Sequence, residues 1–551
     1  MKVHEAVAKA LRDEGVEEIF GLVGNANMEL LTSFATGESG RIYAANIEGT
    51  AVGMAEGFAR STGRVGVCSV TSGPALTNTL TALTSATRAK TPLVLITGHP
   101  SDPDNHQRTD QRSVATLAGA AYREVESAGG ALDDVRAAFY LARTEAQPVV
   151  LDIGRAVQGE EYPWEYAYSS SADALAPPQR IHPDPDALER AVTLLANAER
   201  PVILAGAGAI SSGARESIAE LAGEIGALLS TSLHAKNAFA GDPFNIGVSG
   251  LFSWKFTMEL LAQSDCILAV GASLNHYTTE GGYLFPEAKV IQIDTRPFVL
   301  TGMGRAADAF VRADALVSVE RLRAIVKDRA LGGTRFRTDE VRALIAGAMS
   351  DLDPAEFDLE PGLGDPRKLC AVIDDMFPEE CGIVVGTGHA WGFPNTILRK
   401  WRTPQLYSHF FGSIGIAFPL AIGAAIGNPG RPFVFIDGDG STKMNMHAFD
   451  TMARYQLPIF MTILNDSAYG SEYHQFGAKG MNTDLSLLSD VNFAAVASAL
   501  GCRSAEVRTP AEMEKAVGDF LASPRPYVVD ARVSKRVVST SVRRLHYGIE
   551  S

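Results

Sequence analysis

The sequence lacks several features that would assign a class at once. No run reaches the roughly 18 apolar residues that a membrane-crossing helix needs. The opening stretch, "MKVHEAVAKALRDEGVEEIF", has no apolar core and alternates charge with apolar residues at helical spacing, so no secretory signal is expected. The five cysteines, Cys68, Cys266, Cys370, Cys381 and Cys502, contain no CxxC pair. That argues against a zinc site or a disulfide framework and fits reduced thiols in a cytoplasmic protein. Basic residues are in deficit: 49 Lys and Arg against 64 Asp and Glu give a net charge of -15. A nucleic-acid partner, which needs a basic surface, is not expected. Short-period repeats are absent too. What remains is ordinary globular composition, 46% hydrophobic and 21% charged, in a 551-residue chain too long for one core.

Short apolar runs ending in Gly, Asp or Ser recur along the chain. Examples are "VGVCSVTSG" (65–73), "PLVLITGH" (92–99), "PVVLDIG" (148–154), "PVILAGAG" (201–208), "CILAVGAS" (266–273), "KVIQID" (289–294), "GIVVGTG" (382–388), "FVFIDGDG" (433–440), "IFMTILND" (459–466) and "PYVVDARV" (526–533). Stretches of helical periodicity separate them, as at Met444, Ala448, Met452 and Tyr455. This alternation predicts parallel sheets covered by helices on both faces. Two segments rich in Pro, Gly, Ser and acid, 160–190 and 331–368, read as linkers. The expected architecture is therefore α/β, with three open parallel-sheet domains at about 1–165, 185–335 and 365–545. Ligands of such sheets sit beyond the carboxyl ends of the strands, which directs attention to the Gly, Asp and Ser endings.

One pair of endings stands out. Gly438 and Gly440 flank Asp439 directly after the run Phe433–Ile436. Glycines there let backbone N–H groups approach an anion. A carboxylate beside an anion-binding turn calls for a bridging cation, and Mg²⁺ fits. The next apolar run ends at Asp466, in "LNDSAYG". If the two strands are neighbours, Asp439 and Asp466 converge, and a backbone carbonyl, that of Ala468, completes the protein's share of the metal ligands.

GDG followed by an Asn-Asp pair at this spacing resembles the thiamine diphosphate motif of the 2-oxo acid decarboxylase and acetohydroxyacid synthase family. In that family the second position is usually Asn; here Asp466 falls there. Other segments agree. "NIEGTAVGMAEGFARSTG" is similar to the stretch carrying the family's cofactor-activating glutamate, which makes Glu48 that residue. Its carboxyl would hydrogen-bond the aminopyrimidine and so help remove the thiazolium proton. "FFGSIGIAFPLAIGAAIG" resembles the segment that bends the cofactor, with Ile414 as the wedge and the Gly412 carbonyl as acceptor for the amino group. "GTGHAWG" (386–392) places Gly388 and His389 at the diphosphate, with Gly438, Gly440, Ser441 and Tyr469. "SVTSGPALTN" (69–78) brings Thr71 and Asn78 near the cofactor, and "FGLVGNANMELL" (20–31) resembles the family's first loop. The domain order implied is pyrimidine-binding, central, diphosphate-binding. In the family the pyrimidine domain of one subunit serves the diphosphate domain of another, so a homodimer or homotetramer is implied.

For the substrate, the resemblance implies Glu472 and His474 after the metal loop, and Gln111 in "HPSDPDNHQRTDQRS", as pocket residues. Asn25 stands where pyruvate decarboxylases carry Asp. In the central segment "GASLNHYTT" (271–279) replaces the sequence typical of flavin-binding synthases, so FAD is not expected. The closing "SVRRLHYGIES" can order as a small lid. The reading is a thiamine diphosphate- and Mg²⁺-dependent lyase or carboligase acting on a 2-oxo acid. The alternatives are an acetolactate-synthase-like carboligase without FAD, a 2-hydroxyacyl-CoA lyase, and a non-catalytic thiamine diphosphate binder. A plain dinucleotide dehydrogenase lacks a convincing GxGxxG after a first strand.

Overall fold

A computed structural model describes residues 1–36, 40–176, 179–296, 302–350 and 352–548. Every apolar run named above becomes a strand. They assemble into three six-stranded sheets, and all the strand pairings described are parallel. The first sheet comprises β1 (Glu18–Gly21), β2 (Arg41–Ala44), β3 (Gly66–Ser69), β4 (Leu93–Thr97), β5 (Ala121–Val125) and β6 (Pro148–Ile153), in the order β2-β1-β3-β4-β6-β5. The second comprises β7 (Pro201–Ala205), β8 (Leu228–Thr231), β9 (Asn245–Val248), β10 (Cys266–Val270), β11 (Lys289–Asp294) and β12 (Ala309–Arg312), ordered β12-β11-β10-β7-β8-β9. This is the doubly wound arrangement of nucleotide-binding folds. The third comprises β13 (Gly382–Val385), β14 (Gln405–Tyr407), β15 (Phe433–Gly438), β16 (Ile459–Asn465), β17 (Arg503–Val507) and β18 (Tyr527–Arg532), ordered β14-β13-β15-β16-β18-β17. Counted from its first strand, this order repeats that of the first sheet.

The central strands carry near-continuous Val, Ile, Leu and Phe because helices cover both faces. The edge strands differ. β2, β5 and β17 each keep several residues partly or fully exposed, since one flank and part of a face are open.

The first and third sheets share one hydrophobic core through two helices, Glu48–Thr62 and Ala417–Gly427. Their small residues set the separation. A Cβ on Gly57 would stand 2.0 Å from the Leu420 carbonyl oxygen, and one on Gly423 would stand 1.8 Å from that of Met54. Only glycine allows this approach. The helix that begins at Glu48 is thereby fixed against the helix that follows Ile414. The five cysteines are buried and unpaired. Among the described residues, no helix is long and apolar enough to cross a membrane.

Candidate functional site

β15 and β16 are direct neighbours in register, with Gly438 opposite Leu464. Their carboxyl ends therefore bring Asp439 and Asp466 to one place, on the wall of a cavity of about 1320 Å³. Asp439 is the first residue of helix Asp439–Asn445 and is 2% exposed. Its Oδ2 is buried with no hydrogen-bond partner. Asp466 Oδ1 accepts from the Ala468 N–H at 3.1 Å, across a tight turn in which Ser467 adopts φ +57°. Burial holds both carboxyl groups well above the usual carboxylate range, and for Asp439 the neighbouring Asp466 adds to it. A buried and a largely buried acid, with an orphaned oxygen on Asp439, form a site that a divalent cation would neutralise. Asn465, the neighbour of Asp466, turns away: its Nδ2 donates to Asp530 Oδ1 at 2.8 Å and to the Val491 carbonyl at 3.1 Å.

Asp437 escaped the sequence reading. It is buried inside the last turn of β15, where burial and then Asp439 push its carboxyl up to about 7. It accepts from the Gly438 N–H at 2.9 Å and from Ser441 Oγ at 2.6 Å. Ser441 Oγ in turn accepts from the Gly415 N–H at 2.8 Å. This chain ties the acidic turn to the loop bearing Ile414. Gly386 is forced by the same group, since a Cβ there would lie 2.0 Å from Asp437 Oδ1. The doublet "DGD" was the only available signal for Asp437.

His389 follows β13 after Gly388, whose φ of +91° suits glycine. Its Nε2 accepts from the Ser539 N–H at 3.1 Å, which leaves the proton on Nδ1. Nδ1 lies 3.7 Å from Asp466 Oδ2. Burial lowers the imidazole to about 3, so this contact joins a carboxyl group to a neutral ring and is not an ion pair. Gly470 is required beneath it, because a Cβ there would reach within 2.7 Å of the ring. Gly440 likewise makes room for Tyr469, whose ring a Cβ would approach to 2.8 Å.

The cavity thus gathers Gly388, His389, Gly412, Ile414, Gly438, Asp439, Gly440, Ser441, Asp466, Ala468, Tyr469 and Glu472 from the sequence expectations. Five others, His474, Gln111, Glu48, Asn78 and Thr71, lie off its wall. His474 is 3% exposed and packs behind His389 with ring centroids 4.6 Å apart, and its Nδ1 faces Tyr547 Oη at 3.4 Å. Gln111 is buried at the start of helix Gln111–Ala118, where its Nε2 donates to the Gly98 carbonyl at 2.7 Å. Glu48 is half-buried at the start of its helix and receives Asn78 Nδ2 at 3.1 Å. Thr71 Oγ1, near them in the first domain, accepts from the Ala26 N–H at 3.2 Å. The carboxyl-terminal segment supplies a wall the sequence only hinted at, with Ser541, Val542, Leu545 and His546. Arg543 pairs with Asp353 and Arg544 with Glu280, anchoring it to neighbouring parts of the chain. The last three residues of the suggested lid, 549–551, lie outside the described residues.

Three family models match along the chain. "Thiamine pyrophosphate enzyme, N-terminal TPP binding domain" covers residues 1–118, the central domain of the same enzymes 188–322, and the C-terminal TPP binding domain 385–531. The chain belongs to the thiamine pyrophosphate enzyme family. Among its relatives is a probable acetolactate synthase large subunit of Methanocaldococcus jannaschii, 28% identical across 96% of this chain and 91% of that protein. The acetolactate synthase large subunit of Haemophilus influenzae is 26% identical, covering 93% of this chain and 90% of that one. A sulfoacetaldehyde acetyltransferase of Rhodobacter capsulatus is 28% identical over 95% of this chain and 92% of its own length. As a thiamine pyrophosphate enzyme, the chain has its acidic turn, Asp439 to Ser441, inside the C-terminal TPP binding domain and Glu48 inside the N-terminal one.

Proposed function

We propose that this thiamine pyrophosphate enzyme is a lyase or carboligase acting on a 2-oxo acid, with the cofactor held through Mg²⁺. The observation that carries the proposal is the convergence of a buried carboxyl group, Asp439, and a largely buried one, Asp466, on a cavity also lined by Ile414 and Glu472. Among the described residues no cluster of three or more His, Cys, Asp or Glu side chains forms a complete metal cage. That fits an ion completed by a backbone carbonyl, that of Ala468, and by diphosphate oxygens. Gly388, His389, Ser441 and Tyr469 would hold the diphosphate. Ile414 and the Gly412 carbonyl would orient the rings.

The cofactor, when bound, stabilises the negative charge left at the carbonyl carbon as carbon dioxide departs. The protein's own work is positioning, water exclusion and proton control. Glu48 would hydrogen-bond the aminopyrimidine ring nitrogen. Glu48 does not line this chain's cavity, which supports the reading that a partner protomer supplies it and that the working unit is at least a homodimer. Glu472, in the first turn of helix Gly470–Ala478, is the acid placed to give a proton to the product carbon. The names of the acetolactate synthase relatives favour carboligation over release of an aldehyde. The test is a 2-oxo acid panel with thiamine diphosphate and Mg²⁺, following carbon dioxide and separating aldehydes from ligated products. Turnover that needs both additions supports the proposal; turnover indifferent to them removes it.

A further inference from the structure

The cavity of about 1320 Å³ exceeds the several hundred Å³ that one compact ligand usually needs. The cofactor-binding segments occupy one end. Next to them stands a wall of rings drawn from two domains: His234 and Phe252 from the central one, Trp391, His409 and Phe410 from the last. The rings touch in series. His234 stacks on Phe410 with centroids 5.0 Å apart, and His409 lies 5.0 Å from His234 and 5.1 Å from Phe410. Trp391 stands 5.5 Å from His409 and meets Phe252 edge-on at 4.8 Å.

Two links along the chain, one by sequence and one by a hydrogen-bonded turn, fix this wall to the proposed cofactor site. Trp391 follows His389 by two residues in the turn His389–Trp391. The His409 carbonyl accepts from the Gly412 N–H at 3.0 Å, closing the turn that leads to Ile414. The wall is also uncharged. Burial drops His234 to about 3 and His409 to about 4, and Arg60 opposes a charge on either. Arg60 lies 4.9 Å from the Phe410 ring and is tied to Glu56 and the Tyr407 carbonyl. No carboxyl group belongs to the wall. A cationic side chain placed there would be desolvated beside Arg60 without a partner, whereas a flat ring would stack.

We infer that His234, Phe252, Trp391, His409 and Phe410 form the subsite for the substrate's side chain, and that it selects an aromatic 2-oxo acid over a short aliphatic one. This rests on the 2-oxo acid reading above. The test uses holoenzyme with thiamine diphosphate and Mg²⁺. In turnover, phenylpyruvate is expected to exceed pyruvate in kcat/KM by about tenfold or more, and F410L or H234L to narrow that ratio roughly tenfold. Binding is read separately with unreactive probes: phenylacetate quenches tryptophan fluorescence in the wild type but much less in W391F, and butyrate at the same concentration does not. Preference for pyruvate, a ratio unmoved by both variants, or equal quenching by the two probes would each overturn the inference. Quenching by phenylacetate in an enzyme that turns over no 2-oxo acid would overturn the proposed function while upholding the ring subsite.

Discussion

Replacing Asp439 by Asn should act in opposite directions on the empty and the loaded protein. Asp439 is 2% exposed, and its folded pKa is raised, first by burial and then by Asp466. A raised carboxyl pKa contributes stability that is present below the unfolded value of about 4 and is lost as pH rises toward the folded value. While the folded group stays protonated, each pH unit in that window costs ~1.4 kcal/mol. Between pH 5 and 7 the cofactor-free wild type should lose on the order of 2–3 kcal/mol on account of Asp439. D439N is spared this loss. At ~2–4 °C per kcal/mol for a domain of this size, the variant's Tm advantage in EDTA should widen by ~5–10 °C across the window. Thiamine diphosphate with Mg²⁺ should then raise the wild-type Tm and leave D439N nearly unmoved, since the variant's affinity is expected to fall roughly 100-fold, about 2.7 kcal/mol. Thermal scans at the two pH values, with and without cofactor, check both halves. A Tm difference that stays flat with pH, or a full cofactor shift in D439N, would refute the reasoning.

Glu472→Gln should lower kcat about 100-fold while cofactor affinity, measured by titration calorimetry, stays within twofold, as expected for a lost proton donor. Gly57→Ala should lower stability by about 3 kcal/mol in denaturant unfolding, because its Cβ would meet the Leu420 carbonyl at 2.0 Å; an unchanged midpoint would show that the two helices can separate freely. His99 pairs with Asp152 at 2.9 Å, and that bond, helped by Glu124 and opposed by Arg108, holds the imidazole above its usual value. Its contribution to stability is present below about pH 6.5 and is lost as pH rises through the folded pKa. Asp152→Asn should bring the NMR-titrated value of His99 down to or below the ordinary one.

Most interior strands were legible because parallel sheets covered on both faces need continuous apolar runs; the short β1, "EIFG", and β8, "LLST", were not, although both are interior and fully buried. The edge strands were not. β2, "RIYA", and β17, "RSAEV", keep polar residues because solvent reaches them, and neither forms an apolar run. The shared strand order of the first and third sheets left no trace that residue patterns reveal, because topology constrains where strands go and not which side chains fill them. Asp439 and Asp466 could be paired from spacing because each ends a strand, and the adjacency of β15 and β16 makes spacing equivalent to proximity. His474 could not be placed in the same way. It follows Glu472 by only two residues, but positions i and i+2 of a helix point to different faces, which carries its ring from the cavity wall to a position behind His389. The ring wall was invisible because His234 and Phe410 meet only through the packing of two domains.

The central claim is that one protomer's Glu48 serves another protomer's Asp439 and Asp466 in 2-oxo acid chemistry. Co-expressing E48Q and D439N chains tests it most directly, with carbon dioxide release from the best 2-oxo acid as the readout. Each variant alone should be nearly inactive. Mixed dimers contain one site built from an intact Glu48 and an intact Asp439, so random assembly should restore roughly a quarter of wild-type activity. No recovery in a mixture shown to contain mixed dimers, or substantial activity in E48Q alone, would contradict the account.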